Sequence, residues 1–312
     1  MQTDKKINWL FLRGRATALN EPYDMWQSLF MALTGNDYGE MLCFGKPGTY
    51  QISQNFNIQC LENINTYNPK SHPDIIFARG GFPDYNKILK RYSQAKKIYY
   101  GAGVRYLPND NIHYDLILMD CHNHQKECKI KLPHIRSELW IKPAHENFIP
   151  PSLYTYEYDI CYIGNGGASD KGHHFVKTTC PPYLKILHLG RKSEVDTSKN
   201  ITHKYVERNE MPYWIGKCKI GILPYQSKDS CPRVISEMLA CGLPIIAFDS
   251  INFWNDKYKD VVVVSKKEFW NNVIKILNTK INHNKISENY KKTLSINASV
   301  EYLKKLMSTT HD

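Results

Sequence analysis

Apolar residues first gather in INWLFLRGR, a run of strand length that closes on a glycine turn at Gly14. NEPYDMWQSLFMAL follows with apolar positions at helical spacing, so the chain opens on a predicted β-loop-α unit. The same alternation returns as a strand in HPDIIFARGG, a helix in DYNKILKRYSQA, and strands in KKIYYGAGV and YDLILMDC. Strands alternating with helices predict a parallel, doubly wound sheet.

The proline cluster in KPAHENFIPPSLYTYEYDI breaks regular structure before a fresh strand, so a domain boundary is expected near Pro150. Residues 1–149 would form one α/β domain and residues 150–312 a second. In the second, strands are predicted at DICYIG, YLKILHLG, KIGILPY and LPIIAF, and helices beginning near Gly172, Met211 and Cys231. NASVEYLKKLM reads as a closing helix, expected to pack back on the first domain. The expected fold class is therefore α/β, with two Rossmann-like domains facing a cleft.

Length agrees with this division, since 312 residues exceed one domain of about 150. The content of 42% apolar residues can bury enough surface for two cores. Nine scattered cysteines lack the dense spacing of a small secreted scaffold, and the apolar run before Arg13 is too short for a signal segment. A cytoplasmic chain without membrane insertion is expected. The sequons at Asn200 and Asn297 would then go unread. A net charge of +11, from 41 basic and 30 acidic residues, favours phosphorylated or polyanionic partners.

The chemistry concentrates in GILPYQSKDSCPRVISEMLACGLPIIAFDS, which reads as strand, polar loop, helix, turn and strand. Small and polar residues opening a helix expose unpaired amides at its positive end, a natural seat for a diphosphate. Asp229 and Glu237 stand eight residues apart, one on the loop and one about two turns into the helix. Both can reach one extended ligand. A sugar nucleotide has the matching shape: sugar hydroxyls, a diphosphate and a ribose diol suited to a carboxylate. The bland reading is a capped helix with Asp229 at its start and Glu237 in solvent.

The pair Asp229 and Glu237, followed by MLACGLPIIA, resembles the E-x7-E and G-x-P elements of the GT-B glycosyltransferases of family 4. That resemblance implies that Glu237 binds the donor ribose and Asp229 faces the sugar. The amides of Ser230, Cys231, Arg233 and Val234 would approach the phosphates, and Pro232 lacks an N–H to give. Upstream, CYIGNGGASDKGHHFVK is similar to the family's strand, glycine and Lys-Gly element, which puts Lys171 on the diphosphate beside Asn165 and Gly166. The family's arginine after the strand glycine is replaced by Asn165, with Arg191 or Arg233 expected to compensate. In NITHKYVERNEMPYWIGKCKIGILPY the backbone at Val206 would meet the nucleobase. Arg13, Gly14 and Arg15 correspond to the family's glycine-rich loop after the first strand. The family histidine has no counterpart at Gly101 to Gly103, leaving His113 or Arg105 as substitutes.

The implied activity is transfer of a sugar from a nucleoside diphosphate donor to an acceptor hydroxyl, with retention and without a cofactor. No D-x-D motif is present, and Cys121, His122, His124 and Cys128 match no common zinc spacing, so metal-independent chemistry is expected. A basic helix face at Lys87, Lys90, Arg91 and Gln94 is either solvated or a contact for nucleic-acid phosphates. Small phage DNA glycosyltransferases are similar in size and architecture, which makes a hydroxymethylated base in double-stranded DNA one acceptor. A surface glycan or lipid precursor is the other. A non-catalytic nucleic-acid-binding protein on the same scaffold and a nucleotide-sugar epimerase are the rival readings.

Overall fold

In the computed structural model, INWLFLRGR yields β1 (Asn8–Arg15), whose two faces are both apolar. The structure describes residues 6–15, 25–69, 71–80, 85–101, 112–164, 171–190, 199–226, 232–251 and 258–308. Two compact units are present: Met1–Ile141 with Val300–Asp312, and Lys142–Ser299.

The first unit is built on β1 and on β2 (Tyr38–Phe44), β3 (Gly48–Ser53), β4 (Phe56–Leu61), β5 (Ile75–Arg79), β6 (Lys96–Gly101), β7 (Leu116–Met119) and β8 (Ser137–Leu139). They form one sheet in the order β3-β4-β2-β1-β5-β6-β7-β8, with only the β3–β4 pair antiparallel. Successive strand residues face opposite sides. On one side Phe11 stacks on Phe30 of α1 (Met25–Thr34) with ring centroids 4.3 Å apart. On the other, Leu10 and Leu12 join Tyr85, Ile88 and Leu89 of α2 (Tyr85–Arg91) in a second core. Helices thus cover both faces, as a parallel sheet requires. The helix expected to run to Ala95 ends at Arg91, whose Nη1 donates to the Tyr67 carbonyl at 2.7 Å. A third helix, α3 (His122–Lys131), was not foreseen.

The second unit contains β9 (Tyr158–Ile163), β10 (Ile186–Leu189), β11 (Ile201–Lys204), β12 (Cys218–Leu223), β13 (Ile245–Phe248) and β14 (Val261–Val264). The order β11-β10-β9-β12-β13-β14 is all parallel, which in sequence terms is the 3-2-1-4-5-6 order of a dinucleotide-binding sheet. Its reversal lies between β9 and β12. In such sheets a ligand sits beyond the carboxyl ends of the two strands flanking that reversal. The helices are α4 (His173–Thr179), α5 (Met211–Ile215), α6 (Arg233–Ala240), α7 (Phe269–Leu277), α8 (His283–Thr293) and α9 (Ile296–Ser308). The last leads back to the first unit, where Tyr302 Oη donates to the Leu139 carbonyl at 3.2 Å and Arg136 donates to the Leu306 carbonyl at 2.9 Å. None of the described helices is long and apolar enough to cross a membrane.

Candidate functional site

At the reversal point of the second sheet, Lys171 is held by its backbone. Tyr162 Oη donates to the Lys171 carbonyl at 3.0 Å. Gly172 follows with φ +76°, and a Cβ there would lie 2.0 Å from the Pro224 carbonyl oxygen, just past the end of β12. Only glycine permits both the left-handed backbone and that approach. The Lys-Gly pair is therefore clamped between the ends of β9 and β12. The Lys171 ammonium lies 4.4 Å from the centroid of Tyr225, a ring fixed by its hydroxyl, which donates to the Ile163 carbonyl. His188 Nε2 stands 2.7 Å from the Gly164 carbonyl and shares a ring cluster with Tyr162 and His203.

The helix expected near Cys231 starts at Arg233, with Pro232 in extended backbone before it and contributing no side-chain cap. Its inner face carries Ile235, Met238 and Leu239 into the core. Glu237 lies on the same buried side and is 0% exposed, which excludes the solvated reading. An ionised carboxylate in that position needs compensation. Arg233, one turn earlier, brings Nε to 2.9 Å from Glu237 Oε1, and Arg208 Nη2 pairs with the same oxygen. The Arg208 guanidinium lies 5.3 Å over the Phe148 ring. Glu237 Oε2 and Arg208 Nε are buried and have no hydrogen-bond partner among the described residues. The carboxylate thus keeps one oxygen for a donor that the described residues do not supply.

Arg208 escaped the sequence reading, although it lies two residues after Val206, which is half-buried beyond β11. No spacing rule connects it to a glutamate 29 residues away. Val234 is half-buried in the first turn of α6. Asn165, Gly166, Arg191, Asp229, Ser230 and Cys231 lie outside the described residues, as does Arg105.

In the first unit, Arg13 is 6% exposed at the carboxyl end of β1, and Gly14 (φ 107°) gives its N–H to the Tyr85 hydroxyl. Arg15 ends the strand. His113 is exposed.

The four-residue zinc candidate resolves differently. Asp120, Cys121 and His124 come together, all buried, with potential ligand atoms within 4.8 Å of one another, whereas His122 is exposed. His124 Nδ1 lies 3.0 Å from Asp120 Oδ1. Burial opposes the imidazolium, but hydrogen bonds to Asp120 and Cys121 outweigh it and raise the His124 pKa to about 10. The hydrogen bond between His124 and Asp120 ties two of the three groups together. Because the folded pKa exceeds the ordinary 6.5, this stabilisation is fully present below pH 6.5 and is lost as pH rises through about 10. Urea denaturation should show stability falling by about 1 kcal/mol per pH unit across that window, and a flatter profile in His124→Gln. Identical slopes in the two proteins would remove the ion pair as the cause.

No protein-family model and no curated protein matches the chain. Among solved structures, sucrose-phosphate synthase from Thermosynechococcus elongatus superposes with a TM-score of 0.73 at 12% identity, covering 97% of this chain and 98% of that one. A glycosyltransferase from Rickettsia africae gives a TM-score of 0.68 at 14% identity, over 98% and 100% of the two chains. The E. coli trehalose-6-phosphate protein bound with UDP-2-fluoro glucose gives 0.66 at 10% identity, over 97% and 99%. Likeness at these identities establishes the fold, which is GT-B: two Rossmann-like α/β domains.

Proposed function

We propose that this chain transfers a glycosyl group from a nucleoside diphosphate sugar to an acceptor hydroxyl, with the second unit holding the donor and the first the acceptor. The observation that carries the reading is Glu237: a buried carboxylate anchored by Arg208 and Arg233, with one oxygen unpartnered among the described residues. A ribose diol supplies the two hydroxyl donors such an oxygen accepts. Lys171 at the strand reversal and the first amides of α6 supply the positive field for the diphosphate. Asp229 is assigned to the sugar hydroxyls, Ser230, Cys231 and Val234 to the phosphates through their amides, and Val206 to the base. Arg13, Gly14 and Arg15, at the carboxyl end of β1, are assigned to the donor as the counterpart of the family's glycine-rich loop. A UDP-sugar analogue bound to one structural neighbour supports the donor class.

In this scheme the anomeric C–O bond to the diphosphate breaks while the acceptor oxygen bonds to the same face of the sugar. The acceptor proton passes to the departing phosphate oxygen. Charge grows on that oxygen, so preorganised cations and amides lower the barrier most where they face it. Retention follows the family resemblance.

The test is a thermal-shift screen with UDP-, GDP-, ADP- and CMP-sugars in excess EDTA, followed by turnover of any sugar that stabilises the fold. A donor present at 100 times its Kd should add about 2.7 kcal/mol. Turnover should persist in EDTA, and loss restored by magnesium or manganese would overturn the metal-free mechanism. Absence of stabilisation by every donor would remove the function itself. For the acceptor, the net charge of +11 and the exposed Lys87 and Lys90 favour duplex DNA carrying hydroxymethylcytosine, with activity falling steeply in salt. Transfer to a saccharide or lipid with no DNA binding at low salt would withdraw DNA and leave glycosyl transfer standing.

A further inference from the structure

Away from the strand reversals, the first unit carries a cavity of about 520 Å³ at the amino ends of β1, β2 and β4. Register dictates its floor. Asn8 stands opposite Tyr38, Leu10 opposite Glu40, and Glu40 opposite Asn57. Alternation puts Asn8, Leu10, Tyr38, Glu40 and Asn57 on one face of the sheet. Tyr67 closes the cavity from above, and its hydroxyl donates to Glu40 Oε2. Burial first, and then the Glu40 charge, push the Tyr67 hydroxyl well above its ordinary range, so it stays a donor.

The commitments of these groups differ. The neighbouring Asn55 spends its amide on the carbonyls of Gly35 and Asp37, at 2.7 Å each. The Asn8 and Asn57 amides, both half-buried, have no side-chain hydrogen bond among the described residues. The Tyr38 ring is half exposed, with the Lys6 ammonium 4.8 Å from its centroid.

These features select the ligand by chemistry. An anion would meet the Glu40 carboxylate, and none of the described lining residues is a cation, the Lys6 ammonium lying against Tyr38 at the exposed rim, so the floor disfavours phosphates and carboxylates. A purely apolar ligand would bury two amides without partners, which costs free energy. A neutral ring with hydroxyls around its edge and C–H groups on its faces satisfies both the amides and carboxylate and the half-exposed Tyr38 ring. The size is that of a small-molecule site. We propose that this cavity is a second, non-catalytic binding site for a neutral pyranose sugar, held by Glu40, Asn57 and Asn8 against Tyr38. It lies at the amino ends of the strands, whereas open α/β sheets bind at the carboxyl ends, so it is separate from the first unit's own reaction edge. The inference does not depend on the proposed activity.

Glucose, N-acetylglucosamine and maltose, each titrated to about 50 mM against the full chain, provide the test by saturation-transfer NMR, the range being set by an expected millimolar Kd. At least one should bind saturably, in a manner unaltered by saturating UDP. Asn57→Ala and Glu40→Gln should each weaken it about tenfold or more, the loss expected from one hydrogen bond to a charged or uncommitted partner. Both substitutions lie at a half-buried wall, and unchanged circular dichroism would show that the fold is kept. Asn8→Ala gives an independent third variant. Absence of saturable binding by all three sugars, binding displaced by UDP, or binding equally strong in every variant would overturn the site. Failure of UDP to bind at all would count against the donor proposal and leave this result readable.

Discussion

Glu237→Gln should weaken nucleotide binding by roughly ten- to a hundredfold, the loss expected for one hydrogen bond to an ionised group. The substitution keeps the shape of the side chain and removes its charge, so the effect isolates what the unpartnered oxygen accepts. The same change leaves Arg208 and Arg233 facing a neutral amide in a buried position, and the melting temperature should fall as well. Arg208 and Arg233 are 21% and 36% exposed, so solvent relieves part of that cost. Glu237→Ala is the harsher variant, because it opens a cavity and strands both cations. Calorimetry with the diphosphate of the donor base separates binding from stability. A comparison of ribose with 2′-deoxyribose nucleotides sharpens it, since the wild-type preference for ribose should shrink in Glu237→Gln. Unchanged affinity, or an unchanged ribose preference in a folded variant, would put the donor elsewhere.

The second sheet was the more legible half because β9, β10, β12 and β13 are buried on both faces and read as continuous apolar runs. Edge strands do not. In β3 four of six residues are exposed, and in β11 only Ile201 is buried, so neither carries an apolar signature that sequence could show. Their pairing comes from neighbours already in place. The helix α3 hid for a related reason: among HNHQKECKIK only His124 and Cys128 are buried, too few for a stripe, and its polar residues invited a metal reading instead. Glu237 entered the sequence reading through its spacing from Asp229 and Lys171 only through the family resemblance, and both sit in strand-loop-helix segments whose order fixes their place in the fold. Arg208 was not, because its role depends on a loop after β11 meeting a helix that follows β12. Such a meeting exists only once the sheet order is known.

Lys171→Ala should lower turnover about a hundred- to a thousandfold, the usual cost of removing one preorganised donor from developing negative charge. The fold should survive the change, because the backbone there is fixed by the Tyr162 hydroxyl and by Gly172 against Pro224 rather than by the lysine side chain. Donor affinity should fall less than turnover, since the ammonium matters most when the diphosphate departs with its full charge. Lys171→Arg tests geometry against charge. The ammonium lies over a ring locked to Ile163, and a planar guanidinium would stack on that ring instead of projecting a point charge, so only partial rescue is expected. Tyr225→Leu removes the platform while leaving Lys171 in place, and should lower turnover by a smaller factor than Lys171→Ala. Steady-state kinetics on the donor found by thermal shift, with kcat and KM resolved for all three variants, decide the matter. Full turnover in Lys171→Ala would show that the leaving group is stabilised by other cations, and would move the chemistry away from the reversal point between β9 and β12.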